Sequence, residues 1–170
     1  MEKKMPLFIV TGASGSGKSF VIGELRKILP EFDIFDPDQV VDFIGHDWEL
    51  MRNIWLRVAR GIAGSGRMTI ICGTFMPWDV EKCADYDCFE HVYYLNLHCD
   101  KEARELRLRA RDWSEEMIQD HKDFATWLVE NADTAYTPPM PIVDTTHTDV
   151  AEVALQIKGW VQRYAGQVKF

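Results

Sequence analysis

Eight consecutive residues, Gly12-Ala13-Ser14-Gly15-Ser16-Gly17-Lys18-Ser19, fit the pattern G-x-x-x-x-G-K-[ST]. Each residue type has a chemical reason to stand where it does. The glycines let the chain wrap tightly, so that successive backbone N–H groups converge on phosphate oxygens. A helix beginning at about Lys18 would present the positive end of its dipole to the same anion. Lys18 is suited to bridge the terminal phosphates, and the Ser19 hydroxyl to bind a magnesium ion that neutralises them. Further on, Asp36 and Asp38 flank Pro37. A carboxylate can orient a hydroxyl that attacks a terminal phosphate and accept its proton. The plainer reading of this pair is an Asp-Pro turn. Arg104, Arg107, Arg109 and Arg111 stand within eight residues, and Arg104, Arg107 and Arg111 share one face of a helix. Planar, permanently charged guanidinium groups suit stacking on a base and gripping phosphate. Their plainer reading is a solvated face paired with Glu102, Glu105 and Asp112.

These groups need elements to hold them. Short apolar runs alternate with longer helical patterns. The strands are expected at Leu7–Val10, Phe32–Phe35, Met68–Cys72, Val92–Cys99 and Pro141–Val143. Helices are expected over Lys18–Leu29, from Met51 to Ile62, over Ala103–Arg111, around Met117–Leu128 and from Val150 to Tyr164. The stripe Met51, Ile54, Trp55, Val58 and Ile62 should face the core in the second of these, and Met117, His121, Phe124 and Leu128 in the fourth. Asp149 with Glu152 three residues on forms a capping box for the last helix. Strands that are apolar throughout and alternate with helices imply a mostly parallel five-stranded sheet covered on both faces. In such sheets ligands bind beyond the carboxyl ends of the strands. The phosphate loop follows the first strand and Asp36-Pro37-Asp38 the second, so both are expected at that end. Gly61 to Arg67 imitates the loop but precedes a strand, and reads as a glycine-rich helix end.

The chain has 170 residues, which suits a single domain over 1–170, and a formal net charge of -8. This acidic balance argues against a nucleic-acid grip through a basic face, though not against a local basic pocket for one anionic ligand. No apolar run approaches the roughly 18 residues of a membrane helix, and the start of the chain does not read as a signal peptide. Of the cysteines, Cys72 and Cys99 sit in strand-like runs and read as core, with Cys83 and Cys88 completing a set that has no C-x-x-C. A disulfide framework is not expected, and the cytoplasm is the expected compartment. Asp85, Asp87, Cys88, Glu90, His91 and His98 gather potential metal ligands in one stretch, but their spacing fits no zinc pattern. No Asn-Lys-x-Asp guanine reader occurs, and the third strand ends without an acid, in Cys72-Gly73-Thr74. A carboxylate assisting magnesium must then come from elsewhere, and Asp36-Pro37-Asp38 is the nearest source.

Taken together, the loop, Phe35-Asp36-Pro37-Asp38-Gln39 and the arginine helix resemble the small P-loop kinases, a group that phosphorylates nucleosides, nucleotides, shikimate, gluconate and similar metabolites. The resemblance spans nearly the whole chain. It implies a three-layer P-loop NTPase fold with a short lid, since only Asp112, Trp113 and Ser114 separate two helices. It implies ATP and Mg2+ as cofactors, held by Gly12 to Ser19, and a small-molecule acceptor in a monomer or homodimer. It implies that Ser19 and Asp36 serve the metal and Asp38 the acceptor hydroxyl, the pattern alone also allowing the two carboxylates to exchange roles. Arg107 and Arg111 match R-[LI]-x-x-R, which implies that Arg107 stacks on the adenine and Arg111 reaches the phosphates. The glycine triplet that shikimate kinases carry after the third strand is missing, so shikimate is not the expected acceptor. Arginines of the second helix (Arg52, Arg57, Arg60) would hold an acceptor phosphate in a nucleoside monophosphate kinase, or else face solvent around a core Trp55. A nucleotide-binding regulator without transfer activity is the alternative of another class.

Overall fold

A computed structural model describes residues 3–166, so the ends of the 1–170 span lie outside the described residues. Five strands form one sheet: β1 (Leu7–Thr11), β2 (Phe32–Phe35), β3 (Met68–Cys72), β4 (Val92–His98) and β5 (Ile142–Asp144). Their order is β2-β3-β1-β4-β5 and every pairing is parallel. The helices are α1 (Lys18–Ile28), α2 (Trp48–Gly64), α3 (Pro77–Val80), α4 (Lys101–Arg109), α5 (Glu115–Glu130) and α6 (Val150–Ala165). A 3-10 helix, Pro37–Ile44, joins β2 to α2.

The period-two alternation of β1 divides the core. Phe8 and Val10 point to one face, where Val21, Leu25, Ile157 and Trp160 of α1 and α6 cover them. Leu7 and Ile9 point to the other, against Met51, Trp55 and Leu56 of α2. A smaller cluster packs Ala13 of the loop on Ala125 and Leu128 of α5. Cys72 and Cys99 are buried, as their strand-like settings suggest. Asp149 caps α6, its carboxylate accepting from Glu152 N. The chain Gly61 to Arg67 does finish a helix: Ser65 caps α2, and Arg67 turns back to pair with Asp33 at 2.8 Å.

Three expectations need correction. In α2 the buried face is Met51, Trp55, Leu56 and Ala59, while Val58 is exposed. The helix is rotated from the expected stripe because the apolar positions 54–56 and 58–59 permit two neighbouring stripes, and the sheet accepts the one with the small Ala59. In α5, Met117 is exposed and Ile118 takes its place in the core. Arg104 does not join a ligand-facing row with Arg107 and Arg111: it is buried and bonded to the protein itself.

Candidate active site

The chain leaves β1 at its carboxyl end and turns at once into the phosphate loop. Gly12 has φ 154, Gly15 φ 85 and Gly17 φ 96. At Gly15 and Gly17 this is the left-handed region, which side chains with a Cβ rarely occupy. At Gly12 a Cβ would stand 2.6 Å from Leu97 O and 2.6 Å from Ser16 Oγ, so closeness to β4 also demands glycine there.

What holds the loop open is a set of donors on its carbonyls. Arg104 donates to Ser14 O and Arg107 to Gly15 O at 2.9 Å. Thr145 Oγ1 donates to Ser16 O at 2.8 Å. A trans peptide points its N–H opposite to its C=O. Holding these three carbonyls from the α4 and β5 side therefore turns the N–H groups of Gly15 and Gly17 away from it, toward the concave side of the loop, while the Ser16 N–H donates to Ala13 O at 3.3 Å. Thr74, just past β3, donates to Gly12 O at 2.7 Å. Lys18 lies across the mouth, donating to Gly12 O at 2.7 Å and Ala13 O at 3.1 Å. Burial, and then the nearby Arg104, lower its pKa to about 8, with Asp38 opposing them.

The two carboxylates arrive on the strand beyond β3. Asp36 directly follows β2 and caps the 3-10 helix, its Oδ1 accepting from Asp38 N at 3.0 Å. Its Oδ2 accepts from Ser19 Oγ at 3.2 Å. The Asp-Pro turn and a functional pair are thus the same local structure: the turn is what aims Asp36 at Ser19. Desolvation and the Asp36 charge push the Asp38 carboxyl above its ordinary pKa, and Lys18 pulls it down. Gly73 lets this segment approach, because a Cβ there would overlap Pro37 Cγ.

Arg107 and Arg111 line a cleft of about 440 Å³ together with Gly17, Phe20, Thr145 and Val153. Arg107 bridges two walls of the cleft, since its second guanidinium nitrogen also donates to Thr145 O at 2.9 Å. Arg111 is exposed at the rim, near enough to Lys18 to contribute to lowering its pKa. The loop Thr145 to Thr148 borders the same cleft. The connection between α4 and α5 is short, with Asp112 at φ 58 and Ser114 capping α5.

Other candidates resolve into structure. Trp55 is buried and donates from its ring nitrogen to Pro37 O at 2.9 Å. Arg57 and Arg60 both pair with Asp85. That ion cluster ends any likeness of Asp85 to a metal ligand, and among the described residues no three His, Cys, Asp or Glu side chains gather as a metal site. Spacing predicts His121 on a buried stripe of α5; in the structure its Nδ1 stands 3.4 Å from Ser14 N of the loop. No local pattern signals that contact, which joins residues 107 apart in the chain.

The donor set fits a magnesium–nucleotide complex. Ser19 and Asp36 supply one hydroxyl and one carboxylate oxygen, hard ligands of the kind Mg2+ takes when phosphates and waters complete its shell. Lys18, Arg107 and Arg111 supply the positive charge that a polyphosphate requires.

No family model matches the sequence, and no curated protein matches it. Solved structures do match its shape. The tunicamycin resistance protein of Deinococcus radiodurans aligns with a TM-score of 0.70 at 15% identity, over 94% of this chain and 96% of that one. A sugar kinase from Janibacter sp. HTCC2649 gives 0.66 at 13% identity, over 99% and 100%. Shikimate kinase from Acinetobacter baumannii, solved with shikimate, gives 0.61 at 15% identity, over 97% and 96%. At these identities the likeness is one of fold: the chain has the architecture of the small P-loop kinases.

Proposed function

We propose that the protein is an ATP-dependent phosphotransferase that moves the terminal phosphoryl group of ATP to a hydroxyl of a small metabolite or nucleoside-like acceptor. The observation that carries this reading is the convergence of Lys18, Ser19, Asp36 and Asp38 at the carboxyl ends of β1 and β2, with Ser19 Oγ bonded to Asp36. A protein that only held nucleotide would have no use for a second carboxylate beside Lys18. The named activities of structural neighbours, among them sugar and shikimate kinases, point the same way.

In this reading the loop amides and Lys18 hold the phosphates, and Arg111 reaches them from the rim of the cleft. Arg107, fixed by Gly15 O and Thr145, offers its guanidinium to the adenine. Ser19 and Asp36 would hold Mg2+, which when bound neutralises and orients the phosphates. Asp38 orients the acceptor hydroxyl and accepts its proton, a role for which a carboxyl raised above its ordinary pKa is better matched. Catalysis rests on positioning and charge neutralisation. Arg57 and Arg60 are engaged on Asp85; Arg52, 3.9 Å from Asp79 and with a buried Nε that has no partner, is the second-helix arginine left to grip an acceptor phosphate in the nucleoside monophosphate kinase alternative.

The test is ADP production with a panel of nucleosides, nucleotides, sugars, shikimate and gluconate. One acceptor should accelerate ATP consumption. With it, Asp38→Asn should keep ATP affinity within a few-fold and lower kcat by roughly 10²-fold, and Asp36→Asn should raise the magnesium requirement. If no acceptor accelerates ATP consumption, the regulator reading replaces this one. If both variants turn over at wild-type rates, the pair is only a turn.

A further inference from the structure

His121 lies in the second turn of α5 with Nδ1 facing the backbone N–H of Ser14 at 3.4 Å. An amide N–H only donates, so Nδ1 is the acceptor. This contact calls for a neutral imidazole with its proton on Nε2. Lys18 of α1 and Arg104 of α4 face it, with Asp120 on its own helix, and the Trp113 ring packs edge-on at 5.0 Å. Burial, then Lys18 and Arg104, lower its pKa, and Asp120 opposes them.

Position along the loop says which part of a nucleotide this contact concerns. In the ATP-binding reading, the cleft lined by Gly17, Phe20 and Arg107 is the one that takes the base. Ser14 lies toward the other end of the loop, next to the Ala13 carbonyl that Lys18 holds. His121 therefore stands on the terminal-phosphate side. We propose that His121 occupies the Ser14 amide in the nucleotide-free protein and moves onto the terminal phosphate when ATP binds, taking one proton from solvent at Nδ1 as it does so. This rests on the ATP-binding reading above.

The chemistry favours the exchange. A contact of 3.4 Å is at the long end for N–H to N and is readily given up. A phosphate oxygen is a charged acceptor and makes the stronger bond to an amide. Once phosphate replaces it, a lone pair on Nδ1 would confront a negatively charged oxygen. Protonation turns that repulsion into a charge-assisted hydrogen bond, and the phosphate charge outweighs Lys18 and Arg104 in setting the proton's position. No bond to phosphorus forms or breaks. ADP lacks the terminal group, so with ADP His121 stays on Ser14. The residue thus distinguishes a loaded from a spent nucleotide, and ties α5 to that distinction.

Isothermal titration calorimetry of the full chain at pH 7, in two buffers of different ionisation enthalpy, tests this. Wild type should take up more protons with Mg-ATP than with Mg-ADP. His121→Gln and His121→Ala should lose that difference, and their preference for ATP over ADP should fall by about tenfold, as for loss of a charged hydrogen bond. The glutamine keeps an acceptor for the Ser14 amide, so a role limited to shaping the loop would spare it. Lys18, its pKa lowered to about 8, adds the same share of proton uptake in all three proteins, so the fall from wild type to variant reads His121. Equal proton uptake and an unchanged ATP-to-ADP ratio in both variants would overturn the inference while leaving the ATP reading intact. Absence of Mg-ATP binding in the wild type itself would remove both.

Discussion

Arg107→Ala removes the guanidinium that joins the phosphate loop to the segment after β5. The side chain donates to Gly15 O at 2.9 Å, to Thr145 O at 2.9 Å and to Thr145 Oγ1 at 3.3 Å. Hydrogen bonds from a charged donor are worth roughly 1.5–3 kcal/mol each when the acceptor is left dry. Here the cleft is open to water, which can replace the donor, and Thr145 Oγ1 keeps its bond to Ser16 O. A stability loss of about 1–2 kcal/mol follows, equivalent to a fall in Tm of roughly 2–8 °C for a domain of this size. The larger effect falls on nucleotide binding. Gly15 O freed from Arg107 allows its peptide to rotate, so that the N–H of Ser16 is no longer held on Ala13 O, its partner at 3.3 Å, and the loop loses its set shape. Loss of that preorganisation, with loss of the guanidinium from the cleft, should weaken Mg-ATP binding by at least tenfold, about 1.4 kcal/mol. Arg107→Lys discriminates between charge and geometry. An ammonium keeps the charge but lacks the planar fork that spans Gly15 O and Thr145 O, so the lysine variant should resemble the alanine one. The assays are thermal melting without ligand and calorimetric titration with Mg-ATP. An alanine variant that binds Mg-ATP as tightly as wild type would refute the reasoning, and a lysine variant with full affinity would refute its geometric part.

Lys18→Ala should abolish the rise in Tm that Mg-ATP produces, and an undiminished rise in the variant would remove the loop from the nucleotide site. Gly73→Ala should destabilise by about 1–3 kcal/mol, since the added methyl overlaps Pro37 and must push away the helix that carries Asp38; a Tm equal to wild type would show that the segment yields freely. Asp85→Asn should lower Tm at pH 7 by breaking the ion cluster with Arg57 and Arg60. Hydrogen bonding to Arg57 holds the Asp85 carboxyl below its usual pKa. Its stabilisation is therefore complete above the unfolded value of about 3.9 and is lost as pH falls through the depressed folded value. The gap between wild type and variant should close over that acid range, and a gap that persists into strong acid would mean that packing, not charge, is what the substitution removes.

The order of elements and the loop were legible in the residues themselves. Gly12 to Ser19 has a local cause: glycine spacing, a preceding apolar run and a following helix act within a few residues of one another. Strand–helix alternation likewise dictated a covered parallel sheet, because uninterrupted apolar strands have no solvent face to offer. Asp36-Pro37-Asp38 could be placed at the same end of the sheet by topology alone. Periodicity, however, says which residues share a helix face and not what that face meets. Arg104 and Arg107 are equivalent by spacing, yet one is buried under Ser14 O and the other lines the cleft. Val58 and Ala59 of α2 are both apolar, and only the packing of α2 on the sheet decided that the alanine goes inward. Arg57 and Arg60 found Asp85, 28 and 25 residues on. His121 met Ser14 across 107 residues of chain. Contacts of that span are set by how α4 and α5 settle against the loop, a consequence of packing the whole core at once, for which no short stretch of sequence carries a signature.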